Sequence, residues 1–208
     1  MKIKFFKVVL GIFILANLGM AEYVKKNNEI YYKYDREDDS GFKVENVDLN
    51  TFKILNDKYA KDDKNVYFLG NKSFEDVDSK TFEVLPDYYS KDKNNVYSPI
   101  NEWIQKINGA NPKTIKVLSQ YYSKDDKNVY VAGEIVKGAD PKTFRRISET
   151  NYARDKNNLY YYYGEDKFLG KINENNFKIL DSKLIKNGNE MYYLGEKANI
   201  KNPENLNQ

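Results

Sequence analysis

One pattern recurs four times in this chain, and it constrains the fold more than any composition figure. Tyr67, Tyr97, Tyr130 and Tyr160 are spaced by 30, 33 and 30 residues. Eight residues before each stands another tyrosine: Tyr59, Tyr89, Tyr122, Tyr152. Seven before is small (Ala60, Ser90, Ser123, Ala153), and six before is basic (Lys61, Lys91, Lys124, Arg154). Five before is Asp62, Asp92, Asp125 or Asp155; two before is Asn65, Asn95, Asn128 or Asn158. One before is Val66, Val96, Val129 or Leu159. Four copies that agree at this many positions are an internal repeat, and a period of about 30 residues means units that stack to bury a shared core. No unit of that size buries enough surface to stand alone.

The segment from Tyr122 to Val131 reads as a β-hairpin: aromatic and β-branched residues flank a polar cluster of turn formers. The Asp is expected to accept backbone N–H bonds in the turn, and the Asn to tolerate a left-handed backbone there. The adjacent Val and Tyr of each copy must point to opposite faces of a strand. Either the sheet is covered on both faces, or one face shows a row of tyrosines. Gly70 and Gly133 mark a second tight turn before a short third strand. A second recurring element runs Thr51 to Leu55, Thr81 to Leu85, Thr114 to Leu118, Thr143 to Ile147 and Asn176 to Leu180. Pro112 and Pro141, each after Asn or Asp, suggest a capped single helical turn ahead of two of them. The expected fold is mainly β: about five repeats of 30–33 residues, each a three-stranded meander with one helical turn. The ends are degenerate. Around Tyr31 and Tyr192 the aromatic persists but the Asp is lost, as end units without a neighbour require.

Residues 1–21 have a lysine-bearing start, an apolar run from Val8 to Leu18 and small residues before position 22, the pattern of a secretory signal. That run is short for a bilayer span, so the working chain is expected at 22–200 with a polar tail at 201–208 and no transmembrane segment. Setting aside Lys2, Lys4 and Lys7 leaves basic and acidic residues equal in number. A neutral chain is a poor nucleic-acid ligand. The absence of cysteine and histidine removes disulfides, thiolate chemistry, Cys- or His-ligated metals and the Ser-His-Asp triad.

The runs Asp63 to Tyr67, Asp92 to Tyr97, Asp126 to Tyr130 and Asp155 to Tyr160 resemble the repeats of the bacterial DKNYY family. The resemblance spans about Lys26 to Ile200 and implies a bacterial, repeat-built, often exported protein, with no catalytic residue to carry over. Ser90 to Tyr97 is more distantly similar to the Asp-box hairpins of propeller proteins, with Asn and Tyr in place of Gly and Trp, which implies a hairpin held by its Asp.

The repeated Asp and Asn oxygens also suit a hard cation such as calcium. A lysine inside the cluster and the needs of the turn favour a structural role instead, so no metal or other cofactor is expected. A catalytic carboxylate pair is made once, whereas these recur in every unit, so no enzyme is expected. The motif tyrosines are expected to pack between repeats. Trp103, in a segment where the second copy departs from its siblings, is expected to form an exposed contact set with Tyr161 and Tyr163. The function expected is a non-enzymatic binding module of the bacterial envelope, with a polysaccharide, cell-wall component or envelope protein as partner. The alternatives are an envelope structural protein without a ligand and, third, a glycan-active enzyme.

Overall fold

The computed structural model describes residues 22–34, 41–72, 76–100, 103–163 and 166–198; the leader and the tail lie outside them. The chain is mainly β and forms six small antiparallel sheets, each a meander whose strands neighbour one another in chain order. We number the sheets as units 1 to 6. Unit 1 has three strands, Glu22–Lys26, Glu29–Lys33 and Gly41–Lys43. Units 2 to 6 have four strands each. In unit 2 these are Lys53–Ile54, Tyr59–Lys61, Val66–Phe68 and Asn71–Lys72, here called strands a to d; the strands of units 3 to 6 take the same letters in chain order, and the three of unit 1 are b to d.

The extra strand corrects the three-stranded expectation. The Thr-Phe element supplies strand a, two or three residues long, paired in unit 2 through Lys53 with Lys61 and Ile54 with Ala60. The helical turns at Asn111 and Asp140 are real but stay single turns. The amides of Ile115 and Phe144 donate to the Asn111 and Asp140 carbonyls at 3.0 and 2.9 Å, and the Asn111 and Asp140 side chains accept the Lys113 and Lys142 amides, both at 3.0 Å. Among the described residues, helix is limited to the 3-10 segments Pro86–Tyr88 and Glu174–Asn176.

Both faces of the interior sheets are covered, because the Val and Tyr of each motif serve different neighbours. Tyr67, Tyr130 and Tyr160 pack toward the preceding unit, Tyr67 with Tyr23 and Ile30 of unit 1, Tyr130 with Tyr89 and Val96 of unit 3, and Tyr160 with Val129 of unit 4. Val66 packs toward the following unit with Tyr97, and Leu159 with Tyr192. The earlier tyrosines share the forward face: Tyr59 meets Phe82, and Tyr122 meets Phe144. The five apolar clusters are each built from two consecutive units, so the described residues form an open stack. Burial of this kind contributes roughly 25 cal/mol per Å² of apolar surface, and it accrues only when a neighbour is present.

In units 2, 4 and 6 strands c and d join through two-residue turns, Leu69-Gly70, Ala132-Gly133 and Leu194-Gly195, all with positive φ. Glycine is needed for packing as well as for φ. A Cβ on Gly70 would sit 2.5 Å from the Tyr32 Cβ, and one on Gly195 would collide with the Tyr161 ring, each in the preceding unit. Units 1, 3 and 5 have longer c–d hairpins, so long and short alternate along the stack.

Candidate functional site

The repeated aspartates sit at the b–c end of the sheets of units 2 to 5 and are fully engaged. Asp125 Oδ1 accepts the amides of Lys127 and Asn128 at 2.8 and 2.7 Å. Its Oδ2 accepts the Asn111 amide at 3.0 Å and the Tyr130 hydroxyl at 2.8 Å. Asp62, Asp92 and Asp155 repeat this set with Asp48 and Tyr67, Asp78 and Tyr97, and Asp140 and Tyr160. Each carboxylate therefore ties its hairpin to the turn that enters the unit and anchors the motif tyrosine. Burial raises the Asp125 carboxyl, but the donated hydrogen bonds outweigh it and hold it below the usual carboxylate range. Burial first and the Asp125 partner second push Tyr130 up to about 12. With N–H and O–H donors on both oxygens, this is turn chemistry and an inhospitable cation site. Among the described residues no group of three His, Cys, Asp or Glu could hold a metal ion.

The asparagines act otherwise than expected. Asn65, Asn95, Asn128 and Asn158 are not left-handed. Asn65, Asn128 and Asn158 instead donate to the tyrosine hydroxyls at 3.3, 3.3 and 3.2 Å. The basic position is explained only by the stack. Lys124 reaches carbonyls of the next unit's entering turn, Pro141 at 2.8 Å and Phe144 at 2.7 Å, and Lys61 reaches Ser79 at 2.8 Å. Arg154 grips Glu174 of unit 6 through both its terminal nitrogens. The forward-facing tyrosines add links: Tyr23, Tyr59, Tyr122 and Tyr152 donate to the Lys58, Tyr88, Asn151 and Lys183 carbonyls of the next unit at 3.1, 2.7, 2.9 and 3.0 Å.

The expected contact set divides. Trp103 is 78% exposed, on the unit 3 hairpin, and Tyr163 is 70% exposed, at the tip of the unit 5 hairpin. Tyr161 is 3% exposed and belongs to the core between units 5 and 6, its ring 4.7 Å from that of Tyr152. The reason is register: Tyr161 occupies the position of Phe68 and Val131, which face the following unit. Sequence reasoning missed Tyr34, 58% exposed at the equivalent place in unit 1. The three long hairpins of units 1, 3 and 5 thus each carry an exposed aromatic.

Between these hairpins, at the a–b and c–d end of the strands, runs a groove of about 300 Å³ across units 2 to 5. Tyr88, Tyr121 and Tyr162 line it with Phe68, Leu69 and Pro99. The Tyr121 and Tyr162 rings lie 5.0 Å apart. The Lys58 ammonium sits 3.9 Å from the Tyr88 ring centre, and the Tyr88 hydroxyl donates to Asp57 at 3.1 Å. Asp87 and Tyr88 are both left-handed, with φ of 53° and 59°, a strain that side chains tolerate only where packing enforces it. The signal was present in the sequence as the residue before the strand b tyrosine in units 2 to 4, Lys58, Tyr88 and Tyr121, but nothing local marked it as part of a groove.

A family model matches residues 23–164, that of the DKNYY family. The chain belongs to this family. No curated protein and no solved structure matches it. The DKNYY match ends within unit 5, yet unit 6 repeats the same four-stranded order through Glu196–Ala198. The recurring motif is the b–c hairpin, and the structural unit includes the strand before it and the strand after it.

Proposed function

We propose that this DKNYY protein is an exported, non-enzymatic binding module of the bacterial envelope that holds a polysaccharide in the aromatic groove. The observation that carries this reading is the contrast among tyrosines. Most are buried between units, whereas Tyr88, Tyr121 and Tyr162 line one continuous groove flanked by the hairpins of Trp103 and Tyr163. Aromatic faces beside a few polar groups suit the apolar faces of sugar rings. The spending of every repeat carboxylate on the fold supports a role without catalysis, since an acid–base pair needs carboxylates free to reach substrate. The leader-like residues 1–21 support the address.

A glycan array on the purified protein tests this, followed by titration of any hit with Trp103 emission as reporter. Binding that is lost in Tyr121→Ala and Tyr162→Ala, at unchanged fold, is the expected result. An array without hits, or hits indifferent to both substitutions, would retire the groove as a glycan site.

A further inference from the structure

The opposite end of the strands carries a second feature that the groove does not use. Strand a faces strand b with like charges directly opposed in four of the five four-stranded units: Lys53 with Lys61, Lys116 with Lys124, Arg145 with Arg154, and Lys178 with Lys186. Directly opposed like charges destabilise a sheet. The strand b member is accounted for in units 2, 4 and 5, because it reaches the next unit. The strand a member is not: Lys53, Lys116, Arg145 and Lys178 are exposed and make no ion pair among the described residues. Unit 3 shows the neutral solution that the others decline, Glu83 opposite Lys91 with 3.3 Å between the charged atoms.

At the junction of units 4 and 5 this end opens into a cavity of about 560 Å³ whose charged lining is Lys113, Lys116, Lys124, Lys142, Asp125 and Asp126. The two acids are committed. Asp125 is buried in its hairpin, and Asp126 accepts the Thr114 hydroxyl at 2.6 Å and the Asn111 side-chain Nδ2 at 3.2 Å. The ammonium groups of Lys113, Lys116 and Lys142 have no counter-ion there among the described residues. Burial first and Lys116 second hold the Lys124 ammonium below its usual range, as a locally positive site requires.

We infer that this edge binds a linear acidic polysaccharide, with the cavity between units 4 and 5 taking one of its carboxylates and the flanking basic pairs taking others along the stack. Sheets packed face to face repeat at about 10 Å, so the basic pairs suit a polymer with one acidic group per disaccharide. A nucleic acid is the poorer fit. It carries a charge every 3.4 Å or so per strand, much closer than the basic pairs are spaced, and the cavity lining holds no aromatic on which bases could stack. This site is independent of the groove, which lies at the other end of the strands.

The test is binding of hyaluronate, which carries one carboxylate per disaccharide, to the whole protein, beside neutral dextran and a single-stranded oligonucleotide of similar length. Hyaluronate is expected to bind, at least tenfold more weakly when salt rises from 50 to 200 mM, on the order expected for several contacts, and dextran is not. The variant with Lys116→Glu and Lys142→Glu should lose at least tenfold in affinity while melting no lower than the parent, because the carboxylate introduced at position 116 would face Lys124 and relieve the like-charge pair. Glu83→Lys should gain several-fold by completing the row. Absence of hyaluronate binding at 50 mM salt would overturn the proposal, as would binding unchanged in both variants. So would an oligonucleotide that binds as tightly as hyaluronate. None of these outcomes depends on Tyr121 or Tyr162, so the groove and the basic edge stand or fall separately.

Discussion

The interior units and the two end units close the same hairpin with different chemistry. In units 2 to 5 the loop is four residues long and its Asp performs two tasks, receiving the entering turn and anchoring the motif tyrosine. Unit 6 divides those tasks. Asn187 accepts the Asn173 amide at 2.7 Å, and the tyrosine goes to Glu190, with 2.5 Å from the Tyr192 hydroxyl and 2.5 Å from Lys197 Nζ to the other oxygen. Unit 1, where the described chain begins, keeps only the second task. Tyr31 donates to Glu29 at 2.7 Å, Lys43 donates to the same carboxylate at 2.6 Å, and the left-handed Asn27 and Asn28 make a two-residue turn. The aspartate loop thus belongs to units that have a neighbour on both faces. A carboxylate buried under four donors needs no screening by solvent, whereas Glu29 and Glu190 stand exposed and lean on a lysine.

This comparison predicts a large asymmetry in truncation. Tyr130→Ala empties a fully buried site between units 3 and 4 and should cost about 3–5 kcal/mol. Tyr31→Ala, on the outward face of unit 1, should cost only a small fraction of that. Urea melts of both variants decide it, and equal costs would mean that the ends are packed as the interior is. Next in size is the carboxylate. Asp125→Ala leaves four donors unpaired and should cost about 2–3 kcal/mol, against a much smaller loss for Glu190→Ala at the exposed end. Placing the end chemistry inside, as Asp125→Asn with Asn128→Glu, should recover about half of the Asp125→Ala loss. No recovery would show that the two tasks cannot be separated in an interior unit.

The pH response is smaller per group, and its sign differs by direction. The interior carboxyls Asp62, Asp92, Asp125 and Asp155 titrate below their unfolded values. Their stabilisation is complete above about pH 4 and falls away as pH drops through the folded values. Tyr89, Tyr130, Tyr152 and Tyr192 are raised to about 12, chiefly by burial. Their stabilisation is complete below about pH 10 and is lost as pH climbs toward 12, because the unfolded chain ionises first. The chain has no histidine, so stability should be flat between about pH 5 and 9. High salt should soften the acid contribution of Glu29 and Glu190, which rests on exposed lysines, and leave that of the aspartates intact. Thermal melts across pH at two salt concentrations measure both arms. Smallest of all, Trp103→Ala should shift stability by no more than about 0.5 kcal/mol, since the ring is exposed.

The hairpins, the aspartate turns and the burial of the motif tyrosines were legible because repetition aligned them at fixed offsets. Strand a was not, since a two-residue strand has no periodicity, and its pairing depends on Lys61 and Ala60 rather than on its own residues. Tyr161 was misplaced because four consecutive tyrosines look like a platform. Comparison with Phe68 and Val131 at the same offset would have marked that position as apolar. The basic residue before each Asp was visible in the sequence, but its role is a contact with carbonyls of the next unit, which no reading of one unit contains. The aromatic groove and the basic edge arise the same way, from residues about 30 positions apart that only stacking brings together.

Amide hydrogen exchange resolved by residue tests the central claim most directly. An open stack held by nearest-neighbour cores should unfold from its ends. The Asn95 and Asn128 amides, held by buried carboxylates in the middle units, should exchange most slowly. The strand amides of units 1 and 6 should exchange at least tenfold faster, with units 2 and 5 between. Uniform protection from unit 1 to unit 6 would contradict the account, because it would mean that the ends are joined or covered and that interior and end units are held alike.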